Sequence, residues 1–155
     1  MRKVFLVVAI LLIVDMALQF YFAALGVFAP GSTNEEQFAL HTTNGRIVLP
    51  ALCLLVIAAA ALARAGGRTI GLSVAPLVLV VFQTILFILG GLTGTTEEAP
   101  TVAGSIVLGF HALVGLSAFM VAYMLVQRAR RLVATGSAMP VGDREPKPVT
   151  TATNG

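Results

Sequence analysis

Four long apolar stretches account for most of the chain: about Val4–Phe28, His41–Ala63, Thr69–Leu92 and Val102–Val126. A helix rises about 1.5 Å per residue, so each stretch is long enough to cross roughly 30 Å of hydrocarbon. Short polar segments separate them. Pro30-Gly31-Ser32-Thr33-Asn34-Glu35-Glu36 and Gly94-Thr95-Thr96-Glu97-Glu98-Ala99-Pro100 read as acidic loops, and Arg64-Ala65-Gly66-Gly67-Arg68 as a tight basic turn. The pattern predicts an all-α protein: a bundle of four transmembrane helices over residues 1–131 and a disordered tail over 132–155. From Thr135 onward that tail is rich in Pro, Gly, Thr and Ser and has no apolar period.

Two features of the stretches need comment. Met1-Arg2-Lys3 followed by uncharged Val4–Val14 has the outline of a secretory signal. The apolar run continues past Asp15 to Phe28, however, and no convincing small-x-small cleavage site precedes a polar start. A retained span is therefore expected. Pro50 lies inside the second stretch and is expected to kink it, which membrane helices tolerate when neighbours satisfy the freed carbonyl.

Composition agrees with the pattern. Of 155 residues, 57% are hydrophobic and 11% charged, and the mean hydropathy is +0.94. A soluble domain carries about a quarter charged residues, so a lipid bilayer is the expected surrounding. No room remains for a separate soluble catalytic domain. The sequence pI of 9.6 does not point to nucleic acid, because Lys and Arg gather at the ends of the spans. By the positive-inside rule both termini are expected in the cytoplasm, with Glu35, Glu36, Glu97 and Glu98 outside. Arg46 is the one basic residue that breaks this rule. The single cysteine, Cys53, sits mid-span and is expected to pack as a small hydrophobe.

The chain also reads twice. Gln19 is followed seven residues later by Gly26, and Gln83 by Gly90; His41-x-x-x-Gly45 is matched by His111-x-x-x-Gly115. This order predicts two duplicated helical hairpins, related by a pseudo-twofold axis along the membrane normal.

Polar residues inside spans carry what chemistry there is, since they normally face the bundle interior. Helical spacing places Asp15, Gln19, Phe22 and Gly26 on one face of the first span. His41, Asn44, Gly45 and Val48 share a face of the second, and His111, Gly115, Ala118 and Ala122 a face of the fourth. Two neutral imidazoles from different helices can ligate one haem iron, with a glycine one turn below each leaving room for the macrocycle. Arg46 would then pair with propionates. Counting from Arg128 and Arg64 puts both histidines toward the outer side, but at depths that differ by about 9 Å. The plainer reading gives Gly45 and Gly115 to close helix packing, and the histidines to hydrogen bonding with Gln19, Gln83 or backbone. Asp15 is then a hydrogen-bonded structural carboxyl or part of a proton path. Gly-rich phosphate loops, zinc-spaced cysteines and nucleophile elbows are absent from the sequence.

The elements Gln19-Phe20-Tyr21-Phe22-Ala23-Ala24-Leu25-Gly26-Val27-Phe28, His41-x-x-x-Gly45, Gln83 and His111-x-x-x-Gly115 resemble an uncharacterised family of small four-span membrane proteins from high-GC Gram-positive bacteria. The resemblance covers roughly Val4–Arg131 and implies a helical bundle in the bacterial plasma membrane, without an assigned activity. More loosely, histidines on the second and fourth helices are similar to one half of haem A synthase and other four-helix membrane cytochromes. Three functions fit these residues. The first is a b-type haem protein for electron transfer or haem handling, with a redox partner. The second is a non-enzymatic subunit that packs against a larger membrane complex. The third is a small proton-coupled carrier using Asp15 and Gln19.

Overall fold

A computed structural model describes residues 1–28, 33–96 and 99–138. The turn residues Pro30–Ser32, the carboxylates Glu97 and Glu98, and the tail from residue 139 onward lie outside the described residues. The chain forms helix α1 (Arg2–Phe28), a single short turn α2 (Asn34–Gln37), and helices α3 (Ala39–Leu62), α4 (Gly67–Leu92) and α5 (Val102–Thr135). All four long helices are apolar enough to span a bilayer, and no strand occurs among the described residues.

The helix ends follow local chemistry. Thr101 caps the start of α5 by accepting a hydrogen bond from the Gly104 amide at 3.1 Å. At the far end Gly136 takes the left-handed conformation (φ 77°) and its N–H reaches the Leu132 carbonyl. The helix thus continues through Leu132–Thr135, into the stretch expected as tail. Proline at position 50 leaves a specific mark. Its missing N–H and its ring disturb the hydrogen-bond ladder one turn earlier. The chain answers with a π-helical turn over Asn44–Val48, in which the Leu49 N–H reaches back to the Asn44 carbonyl. Such a turn holds one residue more than an α-turn.

The long helices pack in a closed square. Helix α1 lies against α3 and α5, and α4 against the same two, so α1 faces α4 and α3 faces α5 across the middle. At the end carrying the basic residues, Arg128 donates to the Thr69 hydroxyl at 3.3 Å and ties α5 to α4. The core is built from Phe5, Ala9, Leu12 and Met16 of α1 with Leu49, Cys53, Val56 and Ala60 of α3 and Ala118, Ala122, Leu125 and Ala129 of α5. Small residues dominate, which lets backbones approach. The outer surface is as apolar as the core: Leu62, Phe87 and Ile88 are all more than half exposed. In water that would be a liability; against lipid tails it is the expected surface.

Buried positions repeat between the halves. Adding 64 to Phe5, Ala9, Leu12 and Gly26 gives Thr69, Ser73, Pro76 and Gly90, and every one is buried. Adding 70 to His41 and Gly45 gives His111 and Gly115. Past the π-turn the offset drops to 69: Leu49, Cys53, Val56, Ala60 and Ala63 correspond to Ala118, Ala122, Leu125, Ala129 and Leu132, again all buried. The extra residue in α3 is the one the π-turn absorbs.

Candidate functional site

The repeat places equivalent contacts in each hairpin. A methyl group at Gly26 would meet the Phe38 ring, and one at Gly90 would meet Leu108 at 3.1 Å. Phe38 and Leu108 stand three residues before His41 and His111. Likewise Gln19 lies against Gly45, and Gln83 against Gly115.

The two histidines meet. Their ring centroids are 5.9 Å apart with planes at 67°, across the diagonal between α3 and α5. The depth difference expected from the basic residues is absent, because Arg64 and Arg128 do not mark the same level. With the offset of 69, Arg64 corresponds to position 133, well beyond Arg128 along α5. Two rings complete the surroundings: Phe87 of α4 stands 5.0 Å from His111, and Phe38 6.3 Å from His41. Neither was singled out in the sequence. Phe87 was available there, since it follows Gln83 by one helical turn.

Gln19 organises the α1–α3 side. Its amide nitrogen donates to the His41 carbonyl at 2.9 Å, and its side-chain oxygen accepts from Asn44 Nδ2 at 2.9 Å. Its backbone carbonyl lies 3.1 Å from His41 Nδ1. A carbonyl can only accept, so this contact assigns the proton of His41 to Nδ1 and leaves a lone pair on Nε2. The Gln19 amide nitrogen, 3.5 Å from Nε2, faces that lone pair. Asn44 also lies beside the Asp15 carboxyl. A polar chain therefore runs Asn44, Gln19, His41 and on to the His111 ring.

The other half is barer. His111 Nδ1 is buried with no hydrogen-bond partner among the described residues. Gln83 makes no side-chain hydrogen bond there either. Asp15 is 7% exposed, and its Oδ2 is likewise unpartnered. Arg46 is exposed in the π-turn and forms no ion pair with a described residue. Val48, expected on the face of His41, is 42% exposed, because the π-turn rotates the helix between them. No group of three or more potential metal-binding side chains of the His, Cys, Asp and Glu types occurs among the described residues, so any metal here would rest on the two imidazoles and non-protein ligands.

The glycines differ in consequence. A Cβ at Gly45 would come 2.7 Å from the Gln19 amide nitrogen, which two acceptors already hold; at Gly115 the nearest atom is 3.5 Å away. Gly45→Ala is therefore expected to destabilise the protein by about 1–3 kcal/mol, and Gly115→Ala to leave it close to wild type. Thermal unfolding in detergent checks the pair, and equal effects would contradict this account.

A model for a family of unknown function, DUF6220, matches residues 19–91. The matched segment includes Gln19, His41, Asn44, Gly45, Gln83 and Gly90, and ends before His111. No curated protein and no solved structure matches the chain. Over residues 19–91, then, the chain is similar to a family whose function is unknown.

Proposed function

We propose that the chain is a membrane haem protein, serving electron transfer or haem handling, in which His41 and His111 would hold one b-type haem. The observation that carries this reading is the meeting of the two imidazoles across the bundle at 5.9 Å. Bonds from a metal to imidazole nitrogen are about 2 Å, so two imidazoles this close could share one ion after a small rotation of their rings. The Gln19 carbonyl would hold His41 Nδ1–H as metal-ligating histidines are generally held, and Nε2 would exchange its contact with the Gln19 amide for the ion. His111 keeps its ring uncommitted, with Nδ1 buried and unpartnered. Bound there, haem would supply one-electron chemistry; the protein supplies orientation and a dry surrounding.

In this reading Arg46 is the cation nearest in sequence to the ligand His41 that is free to meet a propionate, and Gly115 leaves room beside the ring pair. The same proposal sets the protein in a bacterial plasma membrane with the basic end cytoplasmic, which places the site near the outer face. The test is a reduced-minus-oxidised visible spectrum of protein purified in detergent after expression with haem available. Sharp b-type bands are expected. A well-folded, colourless protein would overturn the reading and favour a packing subunit.

A further inference from the structure

We propose that the cleft between the start of α1 and the end of α3 binds the headgroup of an anionic phospholipid through Arg2, Lys3 and Arg64. The site lies at the end of α3 away from His41 and does not depend on the haem reading.

The cleft has a volume of about 530 Å³ and is lined by Met1, Arg2, Lys3, Leu62, Ala63 and Arg64. Volumes of about 300–1,000 Å³ are usual for sites that take small molecules. Half of the lining side chains are cations. Among the described residues no carboxylate answers them: Asp15 lies in mid-span, and Glu35 and Glu36 follow the far end of α1. The Arg2 guanidinium also reaches the end of α5, where a Cβ on Gly136 would meet its Nη1 at 3.3 Å. The cleft therefore carries unbalanced positive charge where the helices leave the hydrocarbon.

The backbone at Arg64 is a second, independent observation. Helix α3 closes with the Ala65 N–H on the Ala60 carbonyl at 3.1 Å and the Arg64 N–H on the Ala61 carbonyl at 2.9 Å. This pair of bonds needs a left-handed residue just past the helix, and glycine is the usual one. The left-handed residue that ends α5 is indeed a glycine, Gly136. At the end of α3 the place is taken by Arg64, with φ 52°, the one positive φ among the described non-glycine residues. Backbone strain of this kind gathers at binding sites, and what it secures here is a third cation in the cleft. The matching position in the other half, Val133, lies within α5. The repeat itself therefore does not call for a cation there.

The chemistry of the lining selects the ligand. Guanidinium groups bind phosphate oxygens through paired N–H bonds, and an ammonium adds a compact charge. Toward the membrane, Leu62 lines the cleft and is 65% exposed, and Val4, next to Lys3, is exposed as well. A free phosphate has no use for that hydrocarbon, whereas the acyl chains of a lipid continue along it. Basic pockets between membrane helices are recurrent sites for anionic headgroups. A phosphodiester carried on acyl chains meets both halves of this lining.

The experiment is native mass spectrometry of the full chain in detergent, with dioleoyl phosphatidylglycerol or dioleoyl phosphatidylcholine added at equal concentration. One phosphatidylglycerol is expected to stay bound under activation that strips phosphatidylcholine. Arg64→Gly should weaken its binding about fivefold, with an unfolding temperature no lower than wild type, since glycine suits the left-handed turn. Lys3→Gln should weaken it to a similar extent. Arg131→Gln, which removes an exposed cation of α5 outside the cleft, should not. Equal retention of the two lipids, undiminished binding in Arg64→Gly and Lys3→Gln, or equal weakening in Arg131→Gln would overturn the inference and leave the cations as markers of topology alone. Displacement of the lipid by inorganic phosphate, but not by chloride at the same ionic strength, would overturn it in favour of a free anion.

Discussion

If the proposed haem is bound, alanine at His41 is expected to abolish its bands altogether, whereas alanine at His111 is expected to leave a five-coordinate, high-spin haem. The asymmetry comes from how each ring is held. His41 is fixed by the Gln19 carbonyl at Nδ1, with the Gln19 amide packed against its other nitrogen. A ligand already oriented loses little freedom on binding a metal. His111 has ring contacts with His41 and Phe87 but no hydrogen bond at Nδ1, so it gives up more freedom to bind and contributes less net affinity. Optical and electron paramagnetic resonance spectra of the two variants distinguish the cases. Added imidazole should restore a six-coordinate spectrum in His111→Ala only. Equal loss in both variants would show that Gln19 does not orient His41.

Gln19→Leu should be far more damaging than Gln83→Leu, although the two glutamines occupy equivalent places in the repeat. The first removes the donor to the His41 carbonyl and the acceptor for the Asn44 side chain. Interhelical hydrogen bonds in bilayers average about 0.6 kcal/mol, but a stranded buried amide adds its own penalty, for a total of about 1–3 kcal/mol. Gln83 has no side-chain hydrogen bond among the described residues, so its replacement by leucine should change stability by less than about 0.5 kcal/mol. Reversible unfolding in mixed micelles measures both. The first variant should also weaken haem retention, because His41 loses a neighbour that limits its ring; similar values for the two would refute the division of labour between the halves.

The four helices were legible because hydropathy and length decide a membrane span almost by themselves. The stripe Asp15, Gln19, Phe22 and Gly26 was legible for a related reason: α1 is regular, so helical spacing predicts which residues share a face. Spacing failed at Val48, where Pro50 forces a π-turn and changes the phase of α3. Depth reckoning failed too, since basic residues mark where helices leave the hydrocarbon and not where the halves align. The pairing of His41 with His111 depends on which helices stand diagonally, and periodicity carries no information about that order. Nor could spacing show that Gly45 makes way for an amide. That contact depends on the rotamer of a residue in another helix.

The diagonal placement of the histidines also governs when the site can exist. The two residues lie 70 positions apart in sequence, so at about 5–20 residues per second roughly 4–14 s separate their synthesis. The knot of Gln19, His41 and Asn44 belongs wholly to the first hairpin and can close as soon as that hairpin is inserted. His111 arrives with the last span. Any ligand requiring both imidazoles is consequently loaded after translocation is complete, into a bundle whose first half is already shaped to receive it.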